Sequence, residues 1–181
     1  MTRPVAQGQT VRTLFDSETI DARVKELAKE IVATLGKDFV VVPVLKGSFM
    51  FAADLLRALH AEGAEVEVDF VILSSYGDRT TSSGQVTVQR DISIIVRDKK
   101  LLLVDDILEL GRTLSFAKDL MAARGATVEI CVLLDKPKRR ENAMQADFVG
   151  FECPERFVVG YGMDVANCFR ELPFIGVVVE D

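Results

Sequence analysis

Asp105 and Asp106 close an apolar run, Leu101-Leu102-Leu103-Val104, and are followed by Ile107-Leu108-Glu109-Leu110-Gly111-Arg112-Thr113-Leu114. Apolar residues of that kind form a buried strand, and ligands of open α/β sheets sit outside the carboxyl ends of such strands. The turn at Gly111 to Thr113 opens a helix, whose first N–H groups and positive dipole end favour a phosphate. The two acids are then placed for sugar hydroxyls or a metal, because the chain is turning at a strand end and both can face one ligand. The competing reading is that they only cap a strand-to-helix turn.

Elements on either side repeat the pattern that would position these groups. Ser17 predicts an N-cap, and Ile20, Val24, Leu27, Ala28, Ile31, Val32 and Leu35 follow at helical spacing to Gly36. Residues 39–45 are a Val-rich continuous run suited to a parallel strand buried on both faces, with Phe51 to Leu59 as its crossover helix. A strand is predicted over Val66 to Leu73. Ser74 to Gln85 is polar, between that strand and the alternating segments Val86-Thr87-Val88 and Ile92-Ser93-Ile94, which predicts a long mobile hairpin. Strand 101–104, a helix over 113–124 ended by Gly125, and strand Val128 to Leu134 continue the alternation of a doubly wound sheet. Short apolar segments at 148–151, 157–160 and 175–179, separated by Pro154 and Pro173, predict a small C-terminal hood.

With 181 residues the chain suits one domain, a core of about 15–135 with a hood from N-terminal and 145–181 segments. Apolar residues are 49% of the sequence, but their runs are strand-length, short of the roughly 20 a membrane span needs. The start, Met1-Thr2-Arg3-Pro4, lacks a secretory pattern, so a cytoplasmic location and no membrane partner are expected. A net charge of -6, from 22 basic and 28 acidic residues, argues against a general nucleic-acid surface. One basic cluster, Lys136-Pro137-Lys138-Arg139-Arg140, reads as a solvated loop or as an attractor for an anionic substrate. Cys131, Cys153 and Cys168 show no metal or disulfide spacing and read as buried reduced thiols. His60 is the sole histidine, at a predicted helix end near terminal carbonyls, which disfavours a Ser-His or Cys-His hydrolase.

The strand, two acids and Gly-Thr turn resemble the phosphoribosyl pyrophosphate (PRPP) motif of type I phosphoribosyltransferases. Lys46-Gly47-Ser48, Ser75-Tyr76, Leu134-Asp135-Lys136, Asp147-Phe148-Val149-Gly150-Phe151-Glu152, Phe157 to Asp164 and Phe169-Arg170-Glu171-Leu172 are similar, in order, to blocks of hypoxanthine-guanine phosphoribosyltransferases. The resemblance implies the type I fold, an open, mostly parallel twisted sheet flanked by helices, with a small hood and a mobile hairpin loop. It implies transfer of a 5-phosphoribosyl group from PRPP to hypoxanthine or guanine in purine salvage, with inversion at C1, an oxocarbenium-like transition state, and Mg2+ on the pyrophosphate.

The same resemblance distributes roles. Asp105 and Asp106 would engage the ribose hydroxyls and metal-bound water. Lys46 and Gly47 would meet the pyrophosphate, by a loop that is sometimes cis, together with Arg170, whose guanidinium fork suits phosphate oxygens. The alternative for Arg170 is an ion pair with Glu171 or Asp164. Leu110, Gly111, Arg112 and Thr113 would cradle the 5'-phosphate. Lys136, a donor only, would favour the O6 of a 6-oxopurine over adenine's amino group. Phe157 would stack on the base, unless it is plain core. Val158 would offer its backbone, and Asp164 would hold a second Mg2+ or orient the exocyclic edge. Ser75 and Tyr76 would belong to a lid.

Glu109 and Leu110 depart from the family pattern, which has an Asp facing N7 of the purine and then a small or polar residue. One extra methylene keeps the acid-base function but moves it, and misplacement of about 1 Å can cost about 10²-fold in rate. That leaves two other readings open: a PRPP- or nucleotide-binding regulator with weak or no catalysis, and a xanthine-preferring transferase. A homodimer or homotetramer is expected from the family.

Overall fold

In the computed structural model, which describes residues 10–75 and 86–179, ten strands and three helices alternate along the chain. They are β1 (Thr10–Phe15), α1 (Ser17–Leu35), β2 (Asp38–Leu45), α2 (Phe49–Ala61), β3 (Glu65–Val68), β4 (Val71–Ser75), β5 (Val86–Arg90), β6 (Lys100–Leu108), α3 (Arg112–Ala123), β7 (Thr127–Asp135), β8 (Phe148–Glu152), β9 (Val158–Val159) and β10 (Ile175–Val179). The main sheet runs β5-β4-β2-β6-β7-β8, with β3 also paired to β2. All its pairings are parallel except β4 with β5. Strands β2, β6 and β7 are buried along nearly their whole length, as a parallel sheet covered on both faces requires.

The helices form because each presents one apolar stripe to that sheet. On α1 the stripe is Ile20, Val24, Leu27, Ala28, Ile31 and Leu35, and with α2 it builds one core over Val41, Leu102, Val104 and Leu133. Across the sheet, Leu114, Ala117 and Met121 of α3 pack on Val40, Val42, Leu101, Leu103 and Ile130. Each fully buried Leu or Ile there contributes about 1.5–3 kcal/mol over its exposed state. The N-cap of α1 is Asp16 rather than Ser17: its carboxylate accepts from the Thr19 N–H at 2.8 Å, and Ser17 is the first helical residue. Gly36, at φ +87°, ends the helix as predicted.

Three further expectations are corrected. The strand predicted over 66–73 is two strands, β3 and β4, because buried Asp69 interrupts it, accepting from the N–H groups of Phe70, Ser93 and Ile94 and from the Ser93 hydroxyl. The same bonds hold 92–94, which forms no strand. The segment 148–151 belongs to the main sheet as β8, paired with β7, not to the hood; Arg23 of α1 fixes it by donating to the carbonyls of Val149 and Gly150.

The hood is the three-stranded antiparallel sheet β1-β10-β9. Phe15 stacks on Phe151 with ring centroids 4.3 Å apart, and the Tyr161 hydroxyl donates to Asp54 of α2 at 2.5 Å, so the hood is tied to the β8 edge of the sheet and to α2. The hairpin β4-β5 is present; its expected mobile connection, 76–85, lies outside the described residues, as do 1–9 of the N-terminal segment. No helix among the described residues is long and apolar enough to cross a membrane.

Candidate active site

The carboxyl ends of β6 and β7 open beneath the hood onto a cleft of about 390 Å³, lined by Asp106, Ile107, Glu109, Lys136, Arg139, Arg156, Phe157, Val158, Met163 and Asp164. That lies within the roughly 300–1,000 Å³ of small-molecule sites. The acid pair is not at a strand end: β6 continues to Leu108. Of the two, Asp106 faces the cleft while Asp105 is buried behind it, accepting from the Asp106 N–H at 3.0 Å. Burial pushes both carboxyls above their ordinary value. The shift is larger at Asp105, where the neighbouring Asp106 charge adds to it. At Asp106, hydrogen bonds from Asp105 and the main chain, together with the Arg170 charge, pull the other way.

The Lys46-Gly47 turn, after β2, fits between Asp106 and the hood. Its Leu45–Lys46 peptide is cis, and Ser48 anchors the turn by donating its hydroxyl to the Val44 carbonyl at 2.6 Å. A Cβ at Gly47 would overlap the Asp106 carboxylate, and one at Gly162, at φ +100°, would overlap the Gly47 carbonyl. Glycine is required on both sides of this contact because two main chains and a carboxylate meet there. Arg170 joins the same corner: it donates to the Gly162 carbonyl at 2.6 Å and pairs with Asp164 at 2.7 Å, which is the ion pair considered as its alternative. The other Asp164 oxygen accepts from the Asn167 N–H.

The same cleft also brings together an exposed aromatic ring and a buried ammonium. Phe157 is 57% exposed, so it is not core. Lys136 is only 4% exposed, so it is not part of a solvated loop; its main-chain N–H donates to the Leu108 carbonyl, fixing it at the end of β7 beside β6. Its ammonium lies 3.5 Å from Glu109, whose same oxygen accepts from Arg139 at 2.9 Å. Arg139 also grips Glu155 at 2.7 Å, and Arg140 pairs with Asp135. Val158 is buried in β9.

Leu110, Gly111, Arg112 and Thr113 continue from Glu109 into α3 but do not line this cleft. Gly111 is left-handed and no side chain caps α3, which leaves first-turn N–H groups without a capping side chain. Arg112 pairs with Glu141 at 2.5 Å, and the Glu141 N–H donates to the Leu110 carbonyl. Ser75 ends β4; its side chain, and Tyr76, lie outside the described residues. The cysteines are unpaired, Cys131 and Cys153 buried and Cys168 half-buried, and His60 is an exposed residue of the last turn of α2.

Sequence reasoning missed Ile107, Arg139, Arg156 and Met163 of the lining, Glu155 behind Arg139, and Gly162. Gly162 carried a signal, as the second glycine of Gly160-Tyr161-Gly162. Arg139 carries only the signal of the basic cluster, and Glu155 none, because their pairing is a tertiary one.

Comparison with known proteins places this geometry. The model of the phosphoribosyl transferase domain matches residues 10–166. The hypoxanthine-guanine phosphoribosyltransferase of Aquifex aeolicus is 43% identical over 97% of this chain and 98% of its own. The hypoxanthine phosphoribosyltransferase of Escherichia coli is 41% identical, covering 94% and 96%. A crystal structure of a hypoxanthine-guanine phosphoribosyltransferase from Bacillus anthracis superposes with a TM-score of 0.87 at 42% identity, covering 94% of this chain and 100% of that one. The likeness in fold and sequence thus spans nearly the entire length, and the chain belongs to the phosphoribosyl transferase domain family, among its hypoxanthine-guanine phosphoribosyltransferases.

Proposed function

We propose that this protein transfers the 5-phosphoribosyl group of PRPP to hypoxanthine or guanine, forming IMP or GMP and pyrophosphate. The observation that carries this reading is the pairing, across one cleft, of an exposed aromatic ring and a buried ammonium, Phe157 and Lys136, beside the carboxylates of Asp106 and Glu109. Phe157 presents its ring to the cleft, and base stacking on such a ring is worth about 1–3 kcal/mol. Lys136 offers donors alone, which fits a carbonyl at C6 and rejects an amino group.

Asp106 would accept from the ribose hydroxyls, with Asp105 behind it setting its charge state. Pyrophosphate would lie at the corner where Lys46 and Gly47 meet Gly162 and Arg170. The 5'-phosphate would rest on the uncapped turn from Leu110 to Thr113, with Gly111 and Arg112 between. Glu109 would hold the proton of the purine's N7 as the new bond forms at C1. Val158 would contribute main-chain contacts. Asp164, whose oxygens already engage Arg170 and Asn167, would orient Arg170 and the exocyclic edge of the base. Ser75 and Tyr76 would contribute to a closing lid, and a dimer or tetramer in the cytoplasm would complete the picture.

The donor set suits Mg2+. No group of three or more acids, Cys or His forms a cage among the described residues. Mg2+ is ordinarily held by one or two carboxylates with substrate phosphates and retained waters, and here Asp106 and Asp164, which both line the cleft, would supply hard oxygens, with Asp105 behind Asp106. When bound, such an ion stabilises the charge that develops on the departing pyrophosphate.

Incubation with PRPP and Mg2+, following nucleotide formation from hypoxanthine, guanine, xanthine and adenine, tests the reading. IMP and GMP are expected. Xanthine turnover above both would replace it with the xanthine-preferring alternative, and PRPP binding without turnover of any base would replace it with the regulatory one.

A further inference from the structure

We propose that Tyr161 is a positioning residue, whose hydroxyl bond to Asp54 sets the spacing between the Lys46-Gly47 turn and Arg170; the inference rests on the transfer reaction proposed above, with its pyrophosphate at that corner. Gly160, Tyr161 and Gly162 stand in the left-handed region one after another, at φ +95°, +49° and +100°. Two of them are glycine, which adopts that region freely. Tyr161 is not, and a residue with a side chain stays there only where its surroundings over-determine it.

The restraints are of two kinds. The Gly160 N–H donates to the Met163 carbonyl at 3.0 Å, the Tyr161 N–H to the Leu172 carbonyl at 2.9 Å and the Gly162 N–H to the Arg170 carbonyl at 3.0 Å. These bonds fold the segment on itself and leave its distance from the core open. Among the described residues, the Tyr161 hydroxyl makes the one hydrogen bond that joins this turn to α2, at 2.5 Å to Asp54. The other Asp54 oxygen pairs with Arg57, one helical turn on, which holds the carboxylate ready to accept. Burial, with the Asp54 bond and charge, pushes the hydroxyl above its ordinary value and so keeps it a donor at neutral pH.

What this bond spans is the pyrophosphate corner. The Lys46-Gly47 turn is continuous with α2: the Phe49 N–H donates to the Lys46 carbonyl at 3.2 Å and the Ala52 N–H to the Ser48 carbonyl at 2.8 Å. On the other side, the Gly162 carbonyl accepts from the Arg170 guanidinium at 2.6 Å. Asp54 and Tyr161 therefore fasten the helix that carries one half of the corner to the segment that orients the other. Packing is a weaker explanation, since the ring shares a core with Phe51 and Leu55 that a phenylalanine would fill as well. The Asp54 side chain is 39% exposed, so its charge needs no buried partner.

The test is steady-state kinetics of the full-length protein with PRPP, Mg2+ and hypoxanthine, with Tm alongside. Tyr161→Phe should raise the PRPP KM about five-fold or more, the equivalent of one hydrogen bond, while the hypoxanthine KM at saturating PRPP stays within about two-fold. Asp54→Ala should do the same, and the double variant should go no more than about two-fold beyond either single change, because both remove one bond. Asp54→Asn keeps an acceptor oxygen and should hold the PRPP KM within about two-fold of the unmodified chain. A fall in Tm with no change in the PRPP KM, equal rises in both KM values, or losses that multiply in the double variant overturn the inference and leave the transfer reaction standing. No transfer by the unmodified chain overturns both.

Discussion

Gly47→Ala should damage the reaction far more than the fold. The new Cβ would sit on the Asp106 carboxylate, 2.7 Å from its Cγ, and the turn has little room to back away, because the Gly47 carbonyl lies where a Cβ on Gly162 would be. Asp106 must therefore rotate, giving up the 2.8 Å bond it accepts from the Ile107 N–H. An off-rotamer side chain costs about 0.5–1.5 kcal/mol and a lost hydrogen bond about 1 kcal/mol. For a chain of this size each kcal/mol lowers Tm by about 2–4 °C, so a fall of roughly 3–10 °C is expected. The carboxylate moves by more than 1 Å, which for a group oriented on substrate costs about 10²-fold. Initial rates of IMP formation below the melting transition, with Tm by calorimetry, separate the two effects. A variant with the expected drop in Tm that retains wild-type rates would refute the placement of Asp106 at the reacting sugar.

Phe157→Ala should leave Tm within about 2 °C, since the ring is largely exposed, yet raise the KM for hypoxanthine roughly 5- to 150-fold through the lost 1–3 kcal/mol of stacking; an unchanged KM would put the base elsewhere. Asp69→Ala strips the acceptor from three main-chain N–H groups and the Ser93 hydroxyl and should cost about 2–4 kcal/mol in urea unfolding. Asp69 is held below its ordinary value, chiefly by the Ser93 N–H, so its contribution is present above the unfolded carboxylate pKa and is lost as pH falls through the lower folded value. Asp105 runs the opposite way: burial raises it, so the folded state binds the extra proton and stability falls as pH climbs from the ordinary carboxylate value through the raised one. Urea titrations from pH 4 to 8 should show wild type losing stability relative to Asp105→Asn over that window, and parallel curves would contradict the burial of that charge.

The parts of the fold visible in the sequence are those in which one local pattern has one solution. Val40 to Val44 and Leu101 to Val104 can only be strands covered on both faces, and the stripe from Ile20 to Leu35 can only be a helix lying on them. The errors fall where a distant partner decides. Val66 to Leu73 has strand composition throughout, and it breaks because Asp69 is used by Ser93 and Ile94, more than twenty residues away. Phe148 to Phe151 was equally strand-like, but whether it joined the hood or the main sheet depended on Arg23 and on the free edge of β7. The Asp16 cap went to a neighbour of the expected residue because serine and aspartate are near-equal caps, and only the helix start selects between them.

The site divides along the same line: the burial of Lys136 follows from its place after β7, whereas the sequence alone offers the whole cluster from Lys136 to Arg140 as a solvated loop or an attractor for anions. Lys136 follows an apolar strand directly, so its main chain is committed by the β7–β6 pairing before any side chain is considered. Its burial follows from that commitment, and a buried lysine needs an anionic partner or a ligand. Arg139 sits three residues later in a stretch with three other cations, where composition favours solvent. Its orientation comes from two acids, Glu109 and Glu155, brought from 30 residues before and 16 after. The charge of that loop is thus not a diffuse attraction for anions: Arg139 and Arg140 are each consumed by named carboxylates.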